Sequence, residues 1–101
     1  MQIGDLELEP LGLQAMRSGR LLDLTTQEFA LLSLLVQRAG EVVPRTLIAE
    51  RVWQSDFRST TNNVSVLVQR MRAKVDEPFF PKLIHTMRGA GYFLKQLNEL
   101  E

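Results

Sequence analysis

Between Thr60 and Asp76 the apolar residues fall at Val64, Leu67, Val68, Met71 and Val75. These positions are i, i+3, i+4, i+7 and i+11, which lie on one stripe of an α-helix. Thr60 or Thr61 would cap it, so the pattern predicts a helix over about residues 61–76. The opposite side carries Asn62, Val66, Gln69 and Ala73, with Asn63 and Arg70 along one flank and Ser65 and Arg72 along the other. No carboxylate interrupts that outer side before Asp76. A helix that packs one face on a core and reads a nucleic-acid groove with the other needs such a side. An ordinary amphipathic helix with a solvated basic face shows the same pattern, so the neighbouring elements have to decide.

Upstream, residues 3–9 alternate around Leu6 and Leu8 and predict a half-buried strand, punctuated by Pro10 and Gly12. Leu13–Arg17 predicts a second strand, Ser18-Gly19 a turn, and Arg20–Leu24 a third strand. Strands this short form an antiparallel meander only with a helical layer against one face. Thr25-Thr26-Gln27-Glu28 fits a capping box. The helix it opens runs to about Ala39 and is apolar over most of its circumference (Phe29, Leu31, Leu32, Leu34, Leu35, Val36), so it is expected to be the central buried helix. Gly40 suits its end, and Glu41–Val43 reads as a short extended link. Pro44 suits the start of a second helix, about Arg45–Val52, with Leu47, Ile48 and Val52 inward and Trp53 closing it. Gln54–Thr60 is a polar loop. Downstream of the striped helix, Pro78-Phe79-Phe80-Pro81 stops it. Leu83–Met87 and Tyr92–Lys95 flank Arg88-Gly89-Ala90-Gly91 and predict a β-hairpin.

A chain of 101 residues predicts one domain. It is read as residues 1–98, with 99–101 a tail of the kind that vectors add. Hydrophobic content of 45% and charged content of 24% fit a soluble globular core of this size. The absence of cysteine excludes a disulfide framework, a thiolate metal site and a thiol nucleophile. No apolar run approaches the roughly 18 residues that span a bilayer. The start, MQIGDLELEP, lacks the basic region of a signal peptide. The expectation is a cytoplasmic protein with no membrane partner. Net charge is zero, but it is unevenly spread. Residues 1–57 hold five arginines against eight carboxylates, a net of −3, whereas residues 58–95 hold seven basic side chains against Asp76 and Glu77, a net of +5. One end of the domain is thereby expected to face a polyanion. His85 is the sole histidine and has no second ligand nearby in sequence, so no metal is expected. Nor does the chain show a nucleophile–base pair, a phosphate-cradling glycine loop or clustered carboxylates; no cofactor and no enzymatic activity are expected.

The order of strands, three helices and a terminal hairpin describes an α+β fold, a winged helix-turn-helix with an N-terminal antiparallel β-meander. The motifs LTTQEFALLSLLVQRAGEVVPR (24–45), Val52-Trp53, VSVLVQRMRAKV (64–75) and IHTMRGAGYFL (84–94) carry a resemblance that covers nearly the whole chain. It resembles the DNA-binding effector domain of OmpR/PhoB-type response regulators; TMRGAGY at 86–92 and the N-terminal meander are its specific marks. The segment 76–92, DEPFFPKLIHTMRGAGY, also looks like the heavy-metal (copper)-responsive branch.

The resemblance implies that the third helix enters the major groove of double-stranded DNA. Arg70 and Arg72 match its basic pair; an arginine there forks onto guanine or pairs with phosphate. The alternative for either is a solvated or intramolecular contact. Val66 suits a thymine methyl, and Asn62 and Asn63 suit phosphate, base edges or simple capping. Arg88, on the glycine-flanked hairpin tip, suits a narrow minor groove. Thr86 and Tyr92 offer hydroxyls to phosphate. Arg45 and Trp53 match backbone-contacting positions of the family, and Trp53 suits a core position equally. The loop 54–60, with Asp56, Phe57 and Arg58, matches the segment that touches RNA polymerase; its alternative is a plain connector. Three residues depart from the family pattern: Ser65 stands where an aspartate is usual, Gln69 where an arginine is frequent, and Pro44 where a serine caps. Gln69 is suited to adenine. Further partners implied are a receiver domain and its sensor kinase, and a second copy bound head to tail on direct repeats. A protein-interaction winged helix is the competing function. Arginine at 70, 72 and 88, where a docking surface would favour apolar residues, weighs against it.

Overall fold

A computed structural model of the chain describes residues 1–53 and 64–96. Four short strands, β1 (Gln2–Ile3), β2 (Leu6–Glu9), β3 (Gln14–Arg17) and β4 (Arg20–Leu21), form an antiparallel sheet in that order. The alternation over residues 3–9 predicts one strand; the structure has two, because the chain reverses at Gly4-Asp5 and pairs Ile3 with Leu6. Gly4 takes φ +58°, in the left-handed region that glycine enters without penalty. Ser18 and Gly19 both have positive φ, 51° and 77°, the two-residue hairpin geometry that follows strand twist. The pairings Leu6–Arg17 and Leu8–Ala15 place all four residues on the buried face of the sheet.

That face is covered by helices. α1 (Thr26–Gln37) opens on the expected capping box: Glu28 N donates to Thr25 Oγ1 at 3.1 Å, and Thr25 N donates to Glu28 Oε1 at 2.9 Å. Phe29, Leu31, Leu32, Leu34, Leu35 and Val36 are buried, and α1 touches α2, α3 and the last strand, so it is the hub of the core. α2 (Arg45–Trp53) buries Ile48 and Ala49, with Leu47, Val52 and Trp53 partly buried against the same core. In α3 (Val64–Val75) the buried residues are the five of the predicted stripe, Val64, Leu67, Val68, Met71 and Val75. β5 (Ile84–Met87) and β6 (Gly91–Leu94) close the chain as an antiparallel hairpin. No helix among the described residues is long and apolar enough to cross a membrane.

The Glu41–Val43 link does more than connect. Val43 pairs with Tyr92 in both directions, N to O at 2.7 Å and O to N at 3.0 Å, and Gly40 N donates to Leu94 O at 2.9 Å. The hairpin is therefore fastened by main chain to the α1–α2 link. Gly91 sits at this crossing: a Cβ there would lie 2.1 Å from Val43 O, which only glycine avoids.

The back of α3 is tied to the start of α1. Lys74 Nζ lies 2.7 Å from Glu28 Oε1, and that carboxylate is almost wholly buried. Burial by itself pushes the Glu28 carboxyl up; hydrogen bonding to Lys74 and to the Thr25 backbone outweighs it and holds the pKa below the ordinary 4.5. A carboxylate with a depressed folded-state pKa stabilises the fold above its unfolded pKa and loses that contribution as pH falls through the folded value. The melting temperature is thus expected to fall as pH drops below about 4.5. Lys74→Met is expected to lower melting at neutral pH and flatten this acid limb, as measured by thermal unfolding across pH. An unchanged limb would show that the pair does not contribute.

Candidate nucleic-acid interface

The stripe that buries one side of α3 leaves Val66, Gln69, Arg70 and Ala73 exposed. Val66 and Arg70 share a shallow cleft with Trp53 of α2 and Gln27 of α1. Trp53 is half-buried and packs against the core, so it forms a wall of this cleft. The exposed side of α3 offers an amide, a methyl-bearing knob and a guanidinium. Asp76, the first acid after it in sequence, is turned inward and buried. That orientation leaves the exposed side of α3 free of negative charge.

Asp76 is buried because it is paired. Arg17, wholly buried on β3, donates from Nη1 to Asp76 Oδ1 at 3.1 Å and to Val75 O at 3.0 Å. Its Nη2 donates to Pro81 O at 2.8 Å, and its Nε to Asp5 Oδ1 at 3.0 Å. The guanidinium also lies over the Phe79 ring, 5.2 Å from its centroid. The Asp76 carboxylate in turn accepts from Leu83 N at 3.1 Å and Ile84 N at 2.9 Å. One buried arginine thereby joins the N-terminal sheet, the end of α3 and the first residue of the hairpin. Lys82 completes the junction, donating to the Asp76, Glu77 and Phe79 carbonyls just past the helix end. Arg17 belongs to no motif in the sequence. Its one local signal is position: in Leu13–Arg17 it alternates with Ala15 on the side that Leu6 and Leu8 make apolar.

The hairpin turn is Arg88-Gly89-Ala90, with Ala90 N donating to Met87 O at 2.9 Å and Gly89 at φ +77°. Arg88 is exposed at this tip. Between the tip and the start of α2 runs a second cleft, where Arg45 and Thr46 face Arg88 and Thr86. Arg45 is exposed on the first turn of α2, where unpaired backbone N–H groups favour an anion.

Arg72 behaves unlike Arg70. It is half-buried; its Nη2 donates to Thr86 Oγ1, and its guanidinium lies over the Tyr92 ring, 5.6 Å from the centroid. The structure thus brings Arg72, Thr86 and Tyr92 into one cluster against the hairpin. Asn62 and Asn63, the start of the predicted helix, and the loop residues Asp56, Phe57 and Arg58 lie outside the described residues. His85 packs on Phe93, and its Nε2 meets Lys95 O at 2.9 Å. No group of three or more metal-binding side chains occurs among the described residues.

Among the described residues, three helices, a fastened hairpin and an exposed face on the last helix constitute a winged helix-turn-helix. The profile of the family described as "Transcriptional regulatory protein, C terminal" matches residues 19–94. The chain belongs to this family. Members are transcription-regulator domains of the OmpR/PhoB type, not enzymes. The domain is 50% identical over 97 residues to the transcriptional regulatory protein PcoR of Escherichia coli, covering 96% of this chain and 43% of PcoR. It is 48% identical over 95 residues to the transcriptional activator protein IrlR of Burkholderia pseudomallei, covering 94% of this chain and 42% of IrlR. The domain therefore spans less than half the length of these relatives. Its fold superposes on the Klebsiella pneumoniae RstA DNA-binding domain, solved in complex with the RstA box, with a TM-score of 0.81. Identity to RstA is 27%, over 94% of this chain and 95% of that one.

Proposed function

We propose that this domain binds double-stranded DNA at a specific sequence and regulates transcription as the effector part of a longer, cytoplasmic response regulator. The observation that carries this reading is the exposed, carboxylate-free side of α3, standing beside an arginine-tipped wing. In this reading α3 lies in the major groove. Arg70 forks onto guanine or grips phosphate, Val66 meets a thymine methyl, and Gln69 reads adenine. Arg88 enters the minor groove, where negative potential is greatest when the groove is narrow. Arg45 and the Trp53 end of α2 face phosphates along the backbone, and Asn62 and Asn63 meet phosphate or base edges. A chain of zero net charge gives modest non-specific affinity, so discrimination falls to these few side chains.

The same proposal takes in the larger assembly. Two domains bind head to tail on direct repeats, and Asp56, Phe57 and Arg58 face RNA polymerase. A receiver domain preceding this one takes its signal from a sensor kinase, and the segment 76–92 supports a place in the heavy-metal (copper)-responsive branch.

Selection of binding duplexes from a random pool tests the central claim. A single recurrent motif is the expected result, and a pool that stays random would overturn the reading. Repeating the selection with Gln69→Arg is expected to change the base preferred at one position while total affinity moves little. An unchanged motif would remove Gln69 from the readers.

A further inference from the structure

We propose that Arg72 is a positioning residue, a strut that sets the wing against the recognition helix rather than a contact to DNA. This rests on the DNA-binding reading above and refines it. Arg72 is the one basic residue of α3 whose guanidinium meets the wing among the described residues. Its Nη2 donates to Thr86 Oγ1, and its guanidinium carbon lies over the Tyr92 ring. Thr86 and Tyr92 are cross-strand partners, so a single side chain holds both strands of the hairpin. Tyr92 is also the residue that pairs by main chain with Val43. The strut therefore completes a closed circuit from α3 through the wing to the α1–α2 link. Arg72 Nε is shut away from solvent and finds no acceptor among the described residues. Arg70, two residues earlier, is exposed and free of this duty. A planar fork suits bracing between two groups better than a point charge does.

Such a strut acts through Arg88: it matters because it holds the wing tip at the minor groove. The test is a double-mutant cycle on the selected duplex, Arg72→Met against Arg88→Ala, with affinity followed across salt. For a strut, Arg72→Met alone weakens binding about tenfold, and once Arg88 is gone it changes neither affinity nor salt slope much further. For a phosphate contact, the two losses multiply and Arg72→Met lowers the slope by about one even when Arg88 is already absent; that result would overturn the proposal. Thr86→Val removes the acceptor alone and is expected to reproduce the non-additivity. A DNA-free measurement keeps the two readings separable. In the free domain, Arg72→Met is expected to speed amide exchange at residues 87–92 while α1 stays protected. Unchanged wing exchange would dismiss the strut whatever the DNA result. Failure of the unmodified domain to select a duplex would dismiss the DNA reading instead.

Discussion

Arg17→Ala is expected to cost about 3–5 kcal/mol of folding stability, the range for removing one partner of a buried ion pair. Urea unfolding followed by circular dichroism measures it. The magnitude follows from what is stranded. Asp76 stays buried with main-chain donors from Leu83 and Ile84 but no cation. The Val75 and Pro81 carbonyls lose their donor, and Asp5 loses one of its two side-chain partners. Unsatisfied buried polar groups are costly because water cannot replace the lost bond. Arg17→Lys keeps the charge but not the fork that reaches four acceptors, and an intermediate loss is expected. A change below about 1 kcal/mol on Arg17→Ala would mean that the junction is slack, since typical substitutions already cost that much.

Arg88→Ala and Arg70→Ala are each expected to weaken binding to the selected duplex by about 1–3 kcal/mol, measured by anisotropy titration at moderate salt. The two should differ in kind. Arg70 lies on the exposed face of α3 beside Gln69, so in the proposed docking its loss should relax preference at one base position if it forks onto guanine. In the proposed docking Arg88 enters the minor groove, so its loss should be felt most on duplexes with narrow minor grooves. Both side chains are exposed, so neither change should lower the melting temperature noticeably. If neither substitution alters affinity, the placement of α3 and wing on DNA is wrong.

The sequence pattern reached far where structure depends on local period. The five-residue stripe of α3 and the capping box of α1 are both present as read, because helix geometry alone decides them. It reached less far in the first sheet. Alternation around Leu6 and Leu8 has the same period whether or not the chain reverses first, so nothing in it exposes the turn at Gly4-Asp5. It failed at Arg17, whose partners Val75 and Pro81 lie 58 and 64 residues away; no periodicity encodes such a distance. The two α3 arginines show a third limit. They sit about 200° apart around the helix at about 100° per residue. Which of the two meets the wing is settled only by where the wing packs.

The Arg17 junction bears on where this domain physically begins. The stretch that carries the family pattern starts at residue 19 and ends at 94. Every described side chain assigned to DNA falls inside it, but the arginine that moors the end of the recognition helix falls two residues before it. A fragment trimmed to that stretch would keep the alphabet of recognition and lose the mooring. In this molecule the module that reads and the module that stands on its own have different edges, and the first hairpin belongs to the second.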